Sequence, residues 1–518
     1  MNDTKPSVNP WFIAPVVALA AFMEIMDISI ANVSLPHIAG DLSSSQSEST
    51  WVLTSYLVTN AVVMPISGWL SNTFGRKRFF LACIVGFTLA SLLCGLAPNL
   101  ATLILLRAVQ GAAGGGLQPS GQAILADSFP PEKRGMASAI YGIAAVVAPT
   151  VGPTLGGWIT DNYQWRWIFL INVPVGIALF FLVMALIHDQ PRARNNTSST
   201  SSGRAPVDWM GFGFVALSLG CLQVVLDRGQ EDDWFGSGFI TALILVSAAA
   251  FALLIWWELR HPEPMVDLRL MGNRDFAVTF LLMLMLGFML LGSTYLLPAY
   301  TQSLMGYRAV DAGMVLTPGG IAVILLMPAV GFMINRVDAR LLVAVGLGIS
   351  GLSLLWMTDF YLDVSFDHLV LARLVQATGL AFLFVPLNSI AFRGIPPAKT
   401  NNASALINLA RNFGGSIGIS LAATLLTRRE QFHQSRLVEY AQQLNGAYPD
   451  YAHQLSSAIG STPDSALTLA NVYQGVINQA TLLSYLDDFK VLGLVFLALL
   501  PLLLLVRPGT ARSTGLAH

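Results

Sequence analysis

Residues 11–36 read WFIAPVVALAAFMEIMDISIANVSLP. At ~1.5 Å per residue, a helix of this length crosses the ~30 Å hydrocarbon core of a bilayer. Two acids, Glu24 and Asp27, interrupt the apolar run. A carboxylate at that depth costs several kcal/mol unless it faces a protein or water-filled interior, and such residues mark ion or proton paths. Glu24 and Asp27 are three residues apart, on one helix face that Ala31 and Ser34 continue with small side chains. The stretch predicts a membrane helix that presents a titrating carboxylate to its neighbours.

The rest of the chain is equally apolar. Of 518 residues, 54% are hydrophobic and 11% charged, against roughly 25% charged in a soluble domain. The composition excludes a string of soluble domains and predicts an all-α polytopic membrane protein. A net charge of −1 points to no nucleic-acid partner. Cys83, Cys94 and Cys221 lie in apolar stretches without metal-ligand spacing, so no metal site is expected. The first apolar segment is too long for a cleaved signal peptide and is expected to stay as the first helix.

Fourteen apolar segments are expected to span: 12–34, 50–70, 79–97, 101–127, 136–159, 167–187, 208–226, 238–257, 276–298, 311–334, 341–358, 367–391, 403–426 and 487–506. An even number puts both termini on one side. With the termini in the cytosol, 18 Lys and Arg fall in cytosolic segments, and the short outer loops hold only Arg166, Arg228 and Arg308. That bias fixes the orientation. Residues 188–206 are basic and Ser/Thr-rich, a cytosolic linker. Residues 428–486 form a polar outer segment in which Arg429–Leu444 and Asp464–Leu483 have helical periodicity.

The chain also repeats itself. Met64, Pro65, Gly68 and Asn72 match Met327, Pro328, Gly331 and Asn335 at an offset of 263. Arg107, Gln110, Pro130, Pro131, Lys133, Ser138 and Gly152 match Arg373, Gln376, Pro396, Pro397, Lys399, Ser404 and Gly418 at 266. Parallel six-helix repeats are the mark of a transporter with its cavity at the half interface. The expected division is a bundle over 1–187, the linker 188–206, two inserted helices over 207–275, and a second bundle over 276–518.

Several motifs resemble one family. Gly68-Trp-Leu-Ser-Asn72-Thr-Phe-Gly75-Arg76-Lys77 resembles the signature loop of the major facilitator superfamily, and Leu106-Arg107-Ala-Val-Gln110-Gly111 its fourth-helix motif. Gly152-Pro153-Thr-Leu-Gly156-Gly157 resembles the fifth-helix motif of its drug:proton antiporters. Asp27 through Pro36 and Phe169 through Gly176 resemble motifs of the fourteen-helix branch. Leu226-Asp-Arg-Gly229, Trp257-Glu-Leu-Arg260 and the long loop before the last helix are similar to the EmrB/QacA-type multidrug pumps. The resemblance implies a major facilitator fold and a bacterial inner-membrane exporter of lipophilic drug-like compounds. It also implies a periplasmic adaptor and, through it, an outer-membrane channel as partners. Asn72 departs from the pattern, which has Asp at a position thought to latch the cytosolic gate.

The residues themselves point the same way. Asp27 and Arg107 each lie six or seven residues inside the expected outer ends of their helices, so they can pair as a proton switch or as a permanent structural ion pair. Glu24 either attracts cationic substrates or stays neutral. No acid lies between Phe276 and Leu297; the second half supplies Arg373 and Arg411. Candidate cavity residues are Met26, Asn32, Tyr56, Gln110, Tyr141, Tyr295, Gln376, Phe384 and Asn388, with Met23 and Phe382 beside them. Soft and aromatic side chains suit varied lipophilic or cationic ligands. Gly68, Asn72, Gly75, Arg76, Gly152, Pro153, Gly156, Gly157 and Arg411 are the gating and packing candidates. No GxxxxGK[ST] loop is present, so a proton gradient is expected to supply the energy, with no cofactor. A stand-alone solute transporter or symporter on the same fold, and a non-transporting receptor or scaffold, stand as rivals. The segment 428–486 is read as an adaptor-docking element or as a lid over the exit.

Overall fold

Lipid offers the backbone no hydrogen-bond partner, so apolar runs of this length fold as helices. The computed structural model describes residues 9–130, 133–187, 208–262, 264–396, 399–443, 447–460, 462–463 and 465–507. The linker 188–206 and both extreme termini lie outside these residues.

The first six spans are α1 (Pro10–Asp41), α2 (Trp51–Phe74), α3 (Arg76–Gly95), α4 (Leu100–Ser128), α5 (Arg134–Asn162) and α6 (Trp167–Leu186). Two helices follow, α7 (Trp209–Arg228) and α8 (Gly238–Arg260). The second set is α9 (Arg274–Met305), α10 (Ala309–Met333), α11 (Ala339–Trp356), α12 (Phe366–Ala391) and α13 (Thr400–Gln443). A short α14 (Ala447–Ile459) and then α15 (Ala466–Ala498) complete the chain. Side-chain caps start many of them: Asn99 Oδ1 accepts from Thr102 N at 2.9 Å and Asp208 Oδ1 from Gly211 N at 2.8 Å. Pro501 removes a helical donor, and α15 passes into a tight turn over Leu500–Leu505.

Among the described residues, 13 helices are long and apolar enough to cross a membrane. α13 falls below that measure although it is helical across the whole expected 403–426 span. The reason lies in its sequence: Asn401, Ser404, Asn408 and Arg411 are buried in the protein rather than in lipid.

Within each half, α1 packs on α5 and α9 on α13; between the halves, α5 meets α10 and α2 meets α13. Glycines permit these contacts. A Cβ on Gly152 would strike Ser29 of α1, one on Gly156 would lie 3.2 Å from the Ile30 backbone, and one on Gly111 would strike the Tyr56 carbonyl of α2. α7 and α8 form a pair beside α2, tied by Ser247 Oγ donating to Ser218 O at 2.8 Å and by Thr54 Oγ1 donating to Asp227.

Two boundaries differ from the sequence reading. α1 runs 32 residues to Asp41, so Asp27 lies deeper from its end than expected. It still meets Arg107, because about two further turns of α1 run past the start of α4. The expected separate segment 428–486 is in large part a continuation of its flanking helices. α13 runs unbroken to Gln443 and α15 starts at Ala466, since the amphipathic pattern stays in helical register beyond the membrane. The two extensions are cross-tied. Arg429 Nε and His433 Nε2 meet Asp487 Oδ2 at 2.6 and 2.7 Å, and Thr481 Oγ1 donates to Glu430 Oε1 at 2.6 Å.

Candidate transport site

Asp27 on α1 is 2% exposed and Arg107 on α4 is fully buried. Arg107 Nη1 donates to Asp27 Oδ2 at 2.5 Å and to Gln110 Oε1 at 2.8 Å. Asp27 Oδ1 accepts from Gln110 Nε2 at 3.0 Å and from Asn172 Nδ2 of α6 at 2.7 Å. Both amides also donate to Ser91 Oγ of α3, at 2.7 and 3.1 Å. Every hydrogen-bond partner found for Asp27 is a donor, an arrangement suited to a carboxylate, which is acceptor-only. Arg107 is held further by Val52 O, which accepts from Nε at 3.1 Å, and by the Tyr56 ring, whose centroid lies 4.2 Å from Cζ.

Tyr56 leads to a second acid. Its hydroxyl donates to Glu24 Oε1 at 3.4 Å, and Asn60 Nδ2 donates to the same oxygen at 3.0 Å. Gln118 of α4 donates from Nε2 to Glu24 Oε2 and accepts through Oε1 from Arg411 Nη2 of α13. Arg411 Nη2 also donates to Asn408 Oδ1 at 3.0 Å, and Asn408 Nδ2 to Gln122 Oε1 at 2.8 Å. Ser404 Oγ donates to Pro119 O at 2.9 Å. Buried polar groups thus bridge the halves from Glu24 to α13. On α12, Phe384 stacks on Tyr141 of α5 at 6.3 Å, and Arg411 Cζ lies 5.6 Å from the Phe384 ring. A cavity of about 250 Å³ opens between the halves, lined by Gln122, Arg134, Ser138, Tyr141, Asn388 and Arg393 among others. It lies on the side that the positive-inside pattern of the loops leads one to expect in the cytosol.

The remaining candidates fall in several places. Met26 is buried in an apolar cluster with Leu53, Leu103 and Phe169, not at the cavity. Gln110 belongs to the Asp27 cluster, and Gln376 accepts from Arg373 at 2.6 Å inside the second bundle. Tyr295 is half-buried against the core. Asn32 is exposed and does not line the interior: five residues at ~100° each rotate it about 140° away from Asp27. Asn72 accepts from Asn401 Nδ2 across the halves, and a Cβ on Gly68 would meet Asn402. Gly75 takes φ 93°, a left-handed value that glycine tolerates, and ends α2. Arg76 pairs with Asp127 at the foot of α4. Pro153, Gly156 and Gly157 sit on the α5 face toward α1 or beside it. Sequence reasoning did not single out Asn60, Ser91, Gln118, Gln122, Asn172 and Asn408 as site residues. Their one signal is an uncharged polar group within an apolar run.

Two helical bundles related by duplication and joined across a buried polar seam have the architecture of a membrane transporter. The chain belongs to the Major Facilitator Superfamily, whose family model matches residues 17–419. It is 37% identical over 482 residues to the multidrug export protein EmrB of Haemophilus influenzae, covering 92% of this chain and 93% of that protein. It is 35% identical over 523 residues to the multidrug export protein EmrB of Escherichia coli K12, covering 100% of both. The solved structure of the human organic anion transporter MFSD10 shares the fold, with a TM-score of 0.59 at 14% identity, over 96% of this chain and 100% of that one.

Proposed function

We propose that this chain is a proton-driven multidrug efflux antiporter of a bacterial inner membrane. The observation that carries the reading is Asp27, a buried carboxylate in a membrane helix that is surrounded by donors and tied through Arg107 and Tyr56 to the seam between the halves. Protonation from the outer side removes the charge that holds Arg107 and weakens the hydrogen bonds from Gln110 and Asn172. Arg107 and Tyr56 are then released, and Tyr56 is a partner of Glu24. The disturbance reaches Gln118 and Arg411, where the halves meet, and favours release of a lipophilic compound outward. Likeness to proteins named for multidrug export supports the substrate class.

The α13–α15 extension supports a partner. Phe432, Val438, Leu467, Leu469 and Tyr473 are exposed on it, and apolar and aromatic side chains beyond the bilayer suit a protein interface. The partner that fits the reading is a periplasmic adaptor, leading to an outer-membrane channel.

The test is Asp27→Asn, an almost isosteric change. The variant is expected to insert and melt normally while losing substrate-coupled proton movement in inverted vesicles. Proton-driven flux at the wild-type rate in a well-expressed variant would sink the reading. The direction of flux in the same vesicles separates export from symport.

A further inference from the structure

The duplication carries the core of the Asp27 site, its arginine and glutamine, into the second half with the acid replaced. At the offset of 266, Arg107 becomes Arg373, Gln110 becomes Gln376 and Asp27 becomes Ser293. The fold keeps the arrangement. Arg373 Nη1 donates to Gln376 Oε1 at 2.6 Å, as Arg107 does to Gln110, and to Ser293 Oγ at 3.2 Å. Arg373 Nη2 donates to Thr294 Oγ1 at 3.1 Å. The acid is what differs, and the donors register it. Gln110 Nε2 gives its hydrogen to the Asp27 carboxylate, whereas Gln376 Nε2 is buried with no partner. Among the described residues, each arginine keeps one buried nitrogen without a hydrogen-bond partner, Nη2 on Arg107 and Nε on Arg373, but only Arg107 has a carboxylate beside it.

The electrostatics are unequal in the same way. Arg373 is 1% exposed, and among the described residues no carboxylate lies within 4.0 Å of it. A guanidinium withdrawn from water costs several kcal/mol unless an anion and hydrogen bonds offset the loss. Arg373 Nε and Gln376 Nε2 are thus two buried donors left over beside an uncompensated guanidinium, and charge-assisted hydrogen bonds to an anion would satisfy both needs.

We propose that the Arg373–Gln376 fork, with Ser293 and Thr294, binds one small monoanion, of the chemistry that a chloride ion and the carboxylate of an organic compound share. The assignment does not depend on proton antiport, because it concerns binding and not flux.

The test uses the purified full-length protein in detergent. Its melting midpoint is followed as sodium methanesulfonate, a bulkier anion, is replaced by sodium chloride at constant ionic strength, and separately as 1-naphthoate or uncharged 1-naphthamide is added. A saturable rise of a few degrees is expected with chloride or naphthoate and none with the amide. A response to chloride alone identifies an inorganic ion as the ligand; a response to naphthoate alone identifies an organic carboxylate. Ser293→Asp rebuilds the first half's ion pair and is expected to abolish the response without lowering the midpoint. Should that variant fail to insert, Gln376→Glu supplies a carboxylate to the same fork and carries the same expectation. No anion response in the wild type, an equal response to the amide, or an unchanged response in the acid-bearing variant overturns the proposal.

Discussion

Asp27 draws its partners from α4 and α6, so the side chains that support it can be removed singly. Asn172→Leu leaves Asp27 Oδ1 one donor in place of two and takes a donor from Ser91. A buried acceptor that loses a partner costs about 1–3 kcal/mol, so the variant should melt measurably lower than the wild type. An unchanged midpoint would mean that Asn172 lends Asp27 no support. This part of the site was half legible. Asp27 and Arg107 stand out in the sequence because a charge within an apolar run is rare and costly. Asn60, Gln118 and Asn408 do not, because an uncharged amide is a cheaper guest in a membrane helix and gives no sign of the face it occupies. Asn32 was drawn in by its neighbours in the motif, although the helix turns it outward.

For the helices, hydropathy reads contact with lipid and not length. It located the apolar spans, yet α13 carries a polar interior face and outruns its apolar part, with 44 residues in all. The outer extensions of α13 and α15 are tied at their base by Arg429, His433, Asp487, Thr481 and Glu430. Replacing 440–468 with a short Gly/Ser linker keeps those ties. If the extension docks the proposed adaptor, the shortened protein is expected to insert and to bind drug, and to lose both co-purification with a periplasmic adaptor and resistance in cells. Adaptor binding that survives the replacement would leave a lid over the exit as the better account.

In the whole molecule, the duplication was readable because motif residues recur at nearly one spacing. What the halves do to each other was not, since a contact such as Asn72 with Asn401 joins residues 329 apart in the chain. At this position, where the loop motif has an acid, Asn72 meets a neutral amide across the halves. A cysteine pair at Asn72 and Asn401 is expected to cross-link on oxidation and to stop transport reversibly, with reductant restoring it. Full activity in the cross-linked protein would show that this seam never opens. The same helix has a mechanical consequence. From Asn401 beside Asn72, through Arg411 at the seam, to the tip at Gln443, α13 is a single rod, about 66 Å long at ~1.5 Å per residue. A tilt of about 10° displaces one end of such a rod by roughly 11 Å relative to the other. Were the Asn72–Asn401 contact to part by a tilt of α13, the rod would carry that tilt to its far tip as a much larger displacement.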